Sequence, residues 1–198
     1  MSLRFVLIPL LLLLTGCAGL GPTQTAGNIY RLEVVPQVPR ASQQRDLTLL
    51  VALPDTESGF DTRQIAYTRT PLALDYYTKS EWADTPGRMI APLVVRALEQ
   101  SGGLNAVLAA PAPVGGDIRL GLDVIRLQHE FYQEPSQVRL TLRAKLYDNT
   151  TRHVLATQLF EEVETAPSED AYGGVQAANW ALARVLEDLT AFVLGNLP

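Results

Sequence analysis

Few residues in this sequence are of the kinds that usually carry chemistry. One cysteine, Cys17, and two histidines, His129 and His153, are all that its 198 residues provide. A lone cysteine excludes a disulfide within the chain, and two histidines far apart in sequence give no zinc-ligand spacing. Walker A, complete G-x-G-x-x-G and G-x-S-x-G patterns are absent; the glycine pairs at Gly115, Gly116 and at Gly173, Gly174 fall at loop or helix-entry positions. No apolar run approaches the roughly 20 residues that a membrane-spanning helix needs. An excess of basic charge is also missing, with 16 lysines and arginines against 21 acidic residues, which argues against a nucleic-acid partner. The sequence therefore indicates no catalytic residue, no metal site and no cofactor.

What is present begins at the amino terminus. Arg4 precedes an apolar stretch from Phe5 to Leu14, interrupted by Pro9, and the chain then reads Leu14, Thr15, Gly16, Cys17. That order is a secretory signal peptide, and the leucine followed by two small residues and cysteine is the lipobox pattern of bacterial lipoproteins. Residues 1–16 are expected to be removed by cleavage between Gly16 and Cys17, leaving the Cys17 thiol as the lipidation site. Each buried methylene contributes about 0.8 kcal/mol, so two or three acyl chains such as palmitate hold a protein lastingly to a membrane where a single chain does not. Ala18 stands where aspartate often marks retention at the inner membrane, which favours the periplasmic face of the outer membrane. Cleavage removes Arg4 alone among the charges, so 15 basic and 21 acidic residues remain and the net charge is −6.

Residues 17–27 form a lipidated tether. From Ala18 to Gly27 they read AGLGPTQTAG, too small and polar to offset the entropy of ordering. Ten such residues reach roughly 15–20 Å as a coil and at most about 35 Å when extended. Residues 28–198 are expected to make one domain with its own core. Candidate strands are Ile29 to Val35, Leu47 to Leu53, Gln64 to Thr68, Leu72 to Thr78 and Ala106 to Ala109. From Asp117 to Val124 apolar and polar residues alternate, and the phase then flips so that Ile125, Leu127, His129 and Phe131 take the other parity. A β-bulge near Val124 and Ile125 would absorb the flip. Val138 to Leu146 alternates cleanly, Tyr147 to Arg152 makes a turn, and His153 to Glu164 returns, suggesting an antiparallel meander.

Two helices complete the pattern. One follows Asp84 and Thr85 with Pro86 at its first position, buries Met89, Ile90, Leu93, Val94, Ala97 and Leu98, and ends at Gly102 and Gly103. Pro92 predicts either a kink or a later start. The other begins near Ser168 and presents Val175, Ala178, Leu182, Val185, Leu189 and Phe192 on one face. The fold class expected is α+β, a mostly antiparallel sheet with two main helices packed on it.

From Gln64 to Val107 the sequence carries Ile65 and Tyr67, then Tyr76 and Tyr77, then Trp82, Ala83 and Asp84, a helix, and Ser101 and Gly102. In that order and spacing it resembles the ABC-type transport auxiliary lipoproteins, the PqiC or YmbA group. A looser likeness extends through Leu50 to Pro54, the meander and the closing helix. The resemblance implies a domain similar to the amino-terminal domain of TolB. It also implies a non-enzymatic envelope subunit whose partners are an ABC permease and ATPase and an MCE-domain protein, in systems that move phospholipids or other hydrophobic molecules and maintain membrane integrity. A homo-oligomer around such a partner is compatible with it. The alternative is a solitary lipid-binding envelope lipoprotein.

Other features have plainer readings. His129 opens HEFYQ, half of a zinc-protease motif, but the pattern is that of a strand and the second ligand position is Gln133; a hydrogen-bonded histidine near the core is expected. Asn149, Thr150 and Thr151 form a sequon that reads better as a turn. Tyr67, Tyr76, Tyr77 and Trp82 are the candidate partner surface, set against support of the sheet edge. Arg139, Arg143 and Lys145, with Arg119 and Arg126, form a candidate basic stripe that Asp123, Glu161 and Glu162 are placed to neutralise across strands.

Overall fold

The alternation from Ile118 to Glu130 yields the longest strand of the fold, and the others are arranged around it. A computed structural model describes residues 27–198; Gly16, Cys17 and most of the tether lie outside the described residues. In chain order the elements are β1 (Asn28–Tyr30), β2 (Arg45–Val51), β3 (Asp55–Thr56), β4 (Gln64–Thr68), β5 (Asp75–Trp82), α1 (Pro86–Ser101), β6 (Leu104–Ala109), β7 (Ile118–Glu130), β8 (Gln137–Asp148), β9 (Val154–Thr165) and α2 (Ala171–Gly195). One edge of β7 pairs with β8 along its whole length. The other edge is shared end to end by β2, β3 and β4, all parallel to it. Beyond β2 lies β6, and beyond β4 lie β5 and then β1.

The sheet is therefore mixed, which corrects the expectation of a mostly antiparallel one. Among the described residues only β4–β5, β7–β8 and β8–β9 pair antiparallel, while β1–β5 and β2–β6 join the three strands on β7 as parallel pairs. A half-buried strand shows the same alternation in either direction, and the connections that decide direction are long. The likeness to the TolB amino-terminal domain is left without support. The meander β7–β8–β9 is as expected, and so is the bulge, since the register of β7 on β8 shifts between Val124 and Arg126.

Both helices pack on one face of the sheet and on each other. Against them β7 and β8 bury Leu120, Val124, Leu140, Leu142 and Leu146, and α2 buries Leu182, Val185, Leu186 and Leu189. Helix α1 starts at Pro86 and runs unbroken through Pro92, so the later start, one of the two expected consequences of that proline, does not occur. The carbonyl of Arg88 loses its partner to Pro92, but both residues are exposed, so water replaces the lost donor. Gly102 closes α1 at φ 66°, donating its N–H to the Glu99 carbonyl at 3.1 Å. Helix α2 starts three residues after Ser168, at Ala171, capped by Asp170 Oδ1, which accepts from the Gly173 N–H at 2.8 Å.

Two strand boundaries moved for identifiable reasons. β1 ends at Tyr30 because α2 side chains capture the backbone that follows. Asn179 Oδ1 accepts from the Glu33 N–H at 2.7 Å, and Glu187 Oε1 from the Gln37 N–H at 3.0 Å. β5 starts at Asp75 because Leu72 sits in a turn at φ 69°, and it runs on to Trp82 because β1 pairs with its last three residues.

Leu142 is fully buried and lies opposite Val124, where the bulge begins. Leu142→Ala should lower stability by about 2–5 kcal/mol, read as a lower urea midpoint at unchanged slope.

Candidate docking surface

His129, the last inward-facing residue of β7, sits where three elements meet. It is buried, and burial holds its imidazole below the ordinary value, with the carboxylates of Glu169 and Asp170 opposing. Burial also raises Tyr77, whose hydroxyl lies 3.0 Å from His129 Nδ1. The other ring nitrogen, Nε2, is hydrogen-bonded with Ser136 Oγ at 2.8 Å, so both nitrogens of the imidazole have partners. The Ser136 N–H in turn donates to Glu169 Oε1 at 2.9 Å, just ahead of α2. Gly174 of α2 lies on the imidazole so closely that a Cβ there would fall 2.5 Å from Nδ1. The serine and histidine resemble part of a catalytic triad, but the Ser136 side chain is 0% exposed and its hydroxyl meets no solvent. The arrangement ties β5, β7 and the start of α2 together.

The four aromatic residues singled out by sequence do not share one face. Trp82 is in the core at 3% exposure. The half-buried rings of Tyr67 and Tyr77 meet at 4.8 Å, inclined at 49°, and Phe131 meets Tyr67 edge-on at 6.0 Å. The Arg69 guanidinium caps the group, 5.5 Å from the Tyr67 ring. Tyr76 points the other way and donates its hydroxyl to the Gly59 carbonyl at 2.9 Å.

The sheet face away from the helices carries the basic residues, and most are paired there. Arg139 forks onto Glu130 through Nε and Nη2 at 3.0 and 3.2 Å and reaches Glu161 through Nη1 at 2.7 Å. Asp123 takes Lys145 at 2.8 Å and Arg143 at 3.5 Å. Glu162 does not take part: it lies on the helix side, where burial and Asp188 raise its pKa. Glu130, only 4% exposed and also bonded by Gln128, does what was expected of Glu162. His153 lies in the β8–β9 turn, about 33 Å along β8 from His129. Asn149, as expected, is a turn residue, its Nδ2 donating to the Gly116 carbonyl at 2.7 Å.

Two surfaces stand out among the described residues. There β9 pairs with β8 alone, as β6 does with β2 and β1 with β5, and its outer edge lies beside exposed Val154, Leu159 and Val163. The loop between β4 and β5 projects Pro71, Leu72, Ala73 and Leu74 beside Phe60, Ile125 and Tyr132, with Leu72 wholly exposed and Tyr132 half exposed. Sequence reading counted Leu72 as the start of a strand; the signal that was there is an uncharged apolar run directly after a proline. Among the described residues no group of histidine, cysteine and carboxylate side chains is placed to hold a metal ion, and no helix is long and apolar enough to cross a membrane.

The family model for the ABC-type transport auxiliary lipoprotein component matches residues 30–190. Among solved structures, protein XCC0632 from Xanthomonas campestris is similar at a TM-score of 0.79 and 28% identity, covering 86% of this chain and 96% of its own. The hypothetical protein CT253 from Chlamydia trachomatis shares the fold at a TM-score of 0.53 and 8% identity, covering 77% of this chain and 98% of its own. No curated protein matches the sequence.

The His129 site sets a pH dependence. Its folded pKa is depressed, so the unfolded chain takes up the proton first as pH falls. The stability this gives is fully present above about 6.5 and is lost as pH drops from there toward the folded value. Urea titrations between pH 7 and 5 should show stability declining toward acid, and His129→Gln should flatten that decline while lowering stability throughout. An unchanged slope in the variant would contradict the assignment.

Proposed function

The chain belongs to the ABC-type transport auxiliary lipoprotein family, and from that premise we propose that it is a non-enzymatic docking subunit of an envelope transport system. It is held by acyl chains on Cys17 to the periplasmic face of the outer membrane. Its partners are an MCE-domain protein that spans the periplasm and an ABC permease with its ATPase, and the cargo is phospholipid or another hydrophobic molecule. Several copies of the chain surround one such partner, and the free edge of β9 is available for contact between them. The tether supports this division of labour. A domain kept within about 35 Å of one membrane cannot carry lipid across the periplasm alone, so a partner must come to it.

The observation that carries docking over lipid carriage is the closed core. Between the sheet and the helices, the recess lined by Ile65, Trp82, Leu127, His129, Gly174 and Ala178 holds about 10 Å³, room for no more than a single water. A lipid-sized ligand needs several hundred cubic ångströms of enclosed apolar space. The larger recesses among the described residues are open surface clefts. That of about 440 Å³ beside Arg119, Lys145, Arg152, Asp55, Asp123 and Asp148 is as acidic as it is basic.

Purification of the tagged, lipidated protein from outer membranes should recover the permease, ATPase and MCE components, and replacing Cys17 by serine should remove it from the membrane fraction. Recovery of the protein alone with stoichiometric phospholipid would instead establish the solitary carrier.

A further inference from the structure

The β4–β5 loop is hard to explain as part of a soluble surface. Residues Thr70 to Leu74 carry no charge, with Arg69 before them and Asp75 after. Leu72 is held at φ 69°, a backbone region that a leucine rarely adopts, and its side chain is fully exposed. Leu74 is also exposed, and the loop is anchored at its base rather than loose. The Thr68 hydroxyl donates to the Thr70 carbonyl at 2.8 Å and lies 3.4 Å from the Tyr132 hydroxyl. Strain and apolar exposure at the tip of a loop anchored at its base point to a contact made elsewhere.

The path of the chain indicates with what. β1 runs parallel to β5, pairing Asn28 with Ser80, and Gly27 lies against the backbone of Lys79. The backbone at Gly27 therefore heads toward the start of β5, the end of the molecule where the loop projects. Five residues of strand and a short turn separate Ser80 from the loop, about 25–30 Å. The ten residues back to Cys17 span up to about 35 Å, so the anchor reaches the plane of the loop. We propose that Pro71, Leu72 and Leu74 enter the surface of the bilayer that holds the acyl chains, with the Tyr132 ring and the Arg69 and Arg126 side chains at the waterline. The proposal rests on lipidation of Cys17.

A protein partner fits this loop less well. A stable protein interface takes roughly 800 Å² and 20–30 residues from each side. The loop is a narrow apolar tip bordered by charge. A fluid membrane accepts a protrusion without a matching surface.

Because the thiol of Cys17 is consumed by lipid, a second cysteine can be labelled selectively. The lipidated full-length protein, carrying Ala73→Cys with an environment-sensitive dye, is reconstituted in vesicles of phosphatidylethanolamine and phosphatidylglycerol. Val154→Cys, exposed at the opposite end of the sheet, is the control. The dye at 73 should shift to the blue, be quenched by nitroxides on the lipid acyl chains and lose quenching by aqueous iodide, whereas the dye at 154 should do none of these. Adding Leu72→Ser and Leu74→Ser, with the circular dichroism spectrum unchanged, should abolish lipid quenching at 73. Equal iodide access at 73 and 154 in protein that sediments with the vesicles overturns the loop proposal alone, and protein that fails to sediment overturns lipidation with it. Shielding of position 73 only after a purified partner protein is added assigns the loop to that protein and overturns the membrane contact.

Discussion

Almost every element is positioned by the pairing of β7, and a single extra residue in that strand decides what each half of it does. Ile118, Leu120, Leu122 and Val124 face the helices in the first half. The bulge at Ile125 reverses the parity, so Leu127 and His129 face inward in the second. Without it Arg126 and Gln128 would be driven into the core and His129 turned out to the charged face. The first half can then carry the parallel pair β2 and β6, whose crossover includes α1. The second carries β4 and β5, and presents His129 to α2. The glycine of α2 that packs on the imidazole, Gly174, is a consequence of the same parity.

The face away from the helices is governed by charge cancellation. Asp123 answers two cations and Glu130 answers Arg139, with Arg126 at 4.0 Å. Exposed ion pairs contribute little, but Glu130 is buried, so removing Arg139 would leave an uncompensated charge. The stripe that looks basic in sequence is largely offset in the fold by Asp123, Glu130 and Glu161, which weakens its pull on an acidic lipid or protein. Specific contact has to come from shape and apolar surface instead.

What sequence revealed and what it concealed divide along the range of the interactions. Features set within a strand or helix were legible: β4, the bulge, β8, the returning strand, the buried face of α1 and the amphipathic face of α2. The period of side-chain burial and the parity break are local properties. Strand direction was not legible, because alternation is blind to it. Nor were the ends of β1 and β5, which depend on Asn179 and Glu187 far along the chain and on the turn at Leu72. The His129 network was half visible. A buried, bonded histidine followed from parity, but its partners come from Tyr77, 52 residues earlier, and through Ser136 from Glu169, 33 residues beyond it. The aromatic group admits two readings in sequence, a partner surface or support of the sheet edge; its four rings do not share one face, because Tyr76 and Tyr77 alternate across β5.

The direction of β1 links these features to the envelope. A parallel β1 makes the chain enter at the end of the sheet that holds the β4–β5 loop and the close of β7. The other end, with the β8–β9 turn, exposed Val114 and Val154 and the cleft beside Asp148, lies about 33 Å away along β8. On the proposed membrane contact, that turn points away from the bilayer and the edge of β9 runs between the two ends. A partner approaching from the far side would meet the turn end first. An antiparallel β1 would have reversed the molecule on its tether, hiding the charged turn end against lipid and exposing the apolar loop to water. On that proposal the three-residue strand β1, through its parallel pairing with β5, fixes which way the domain faces.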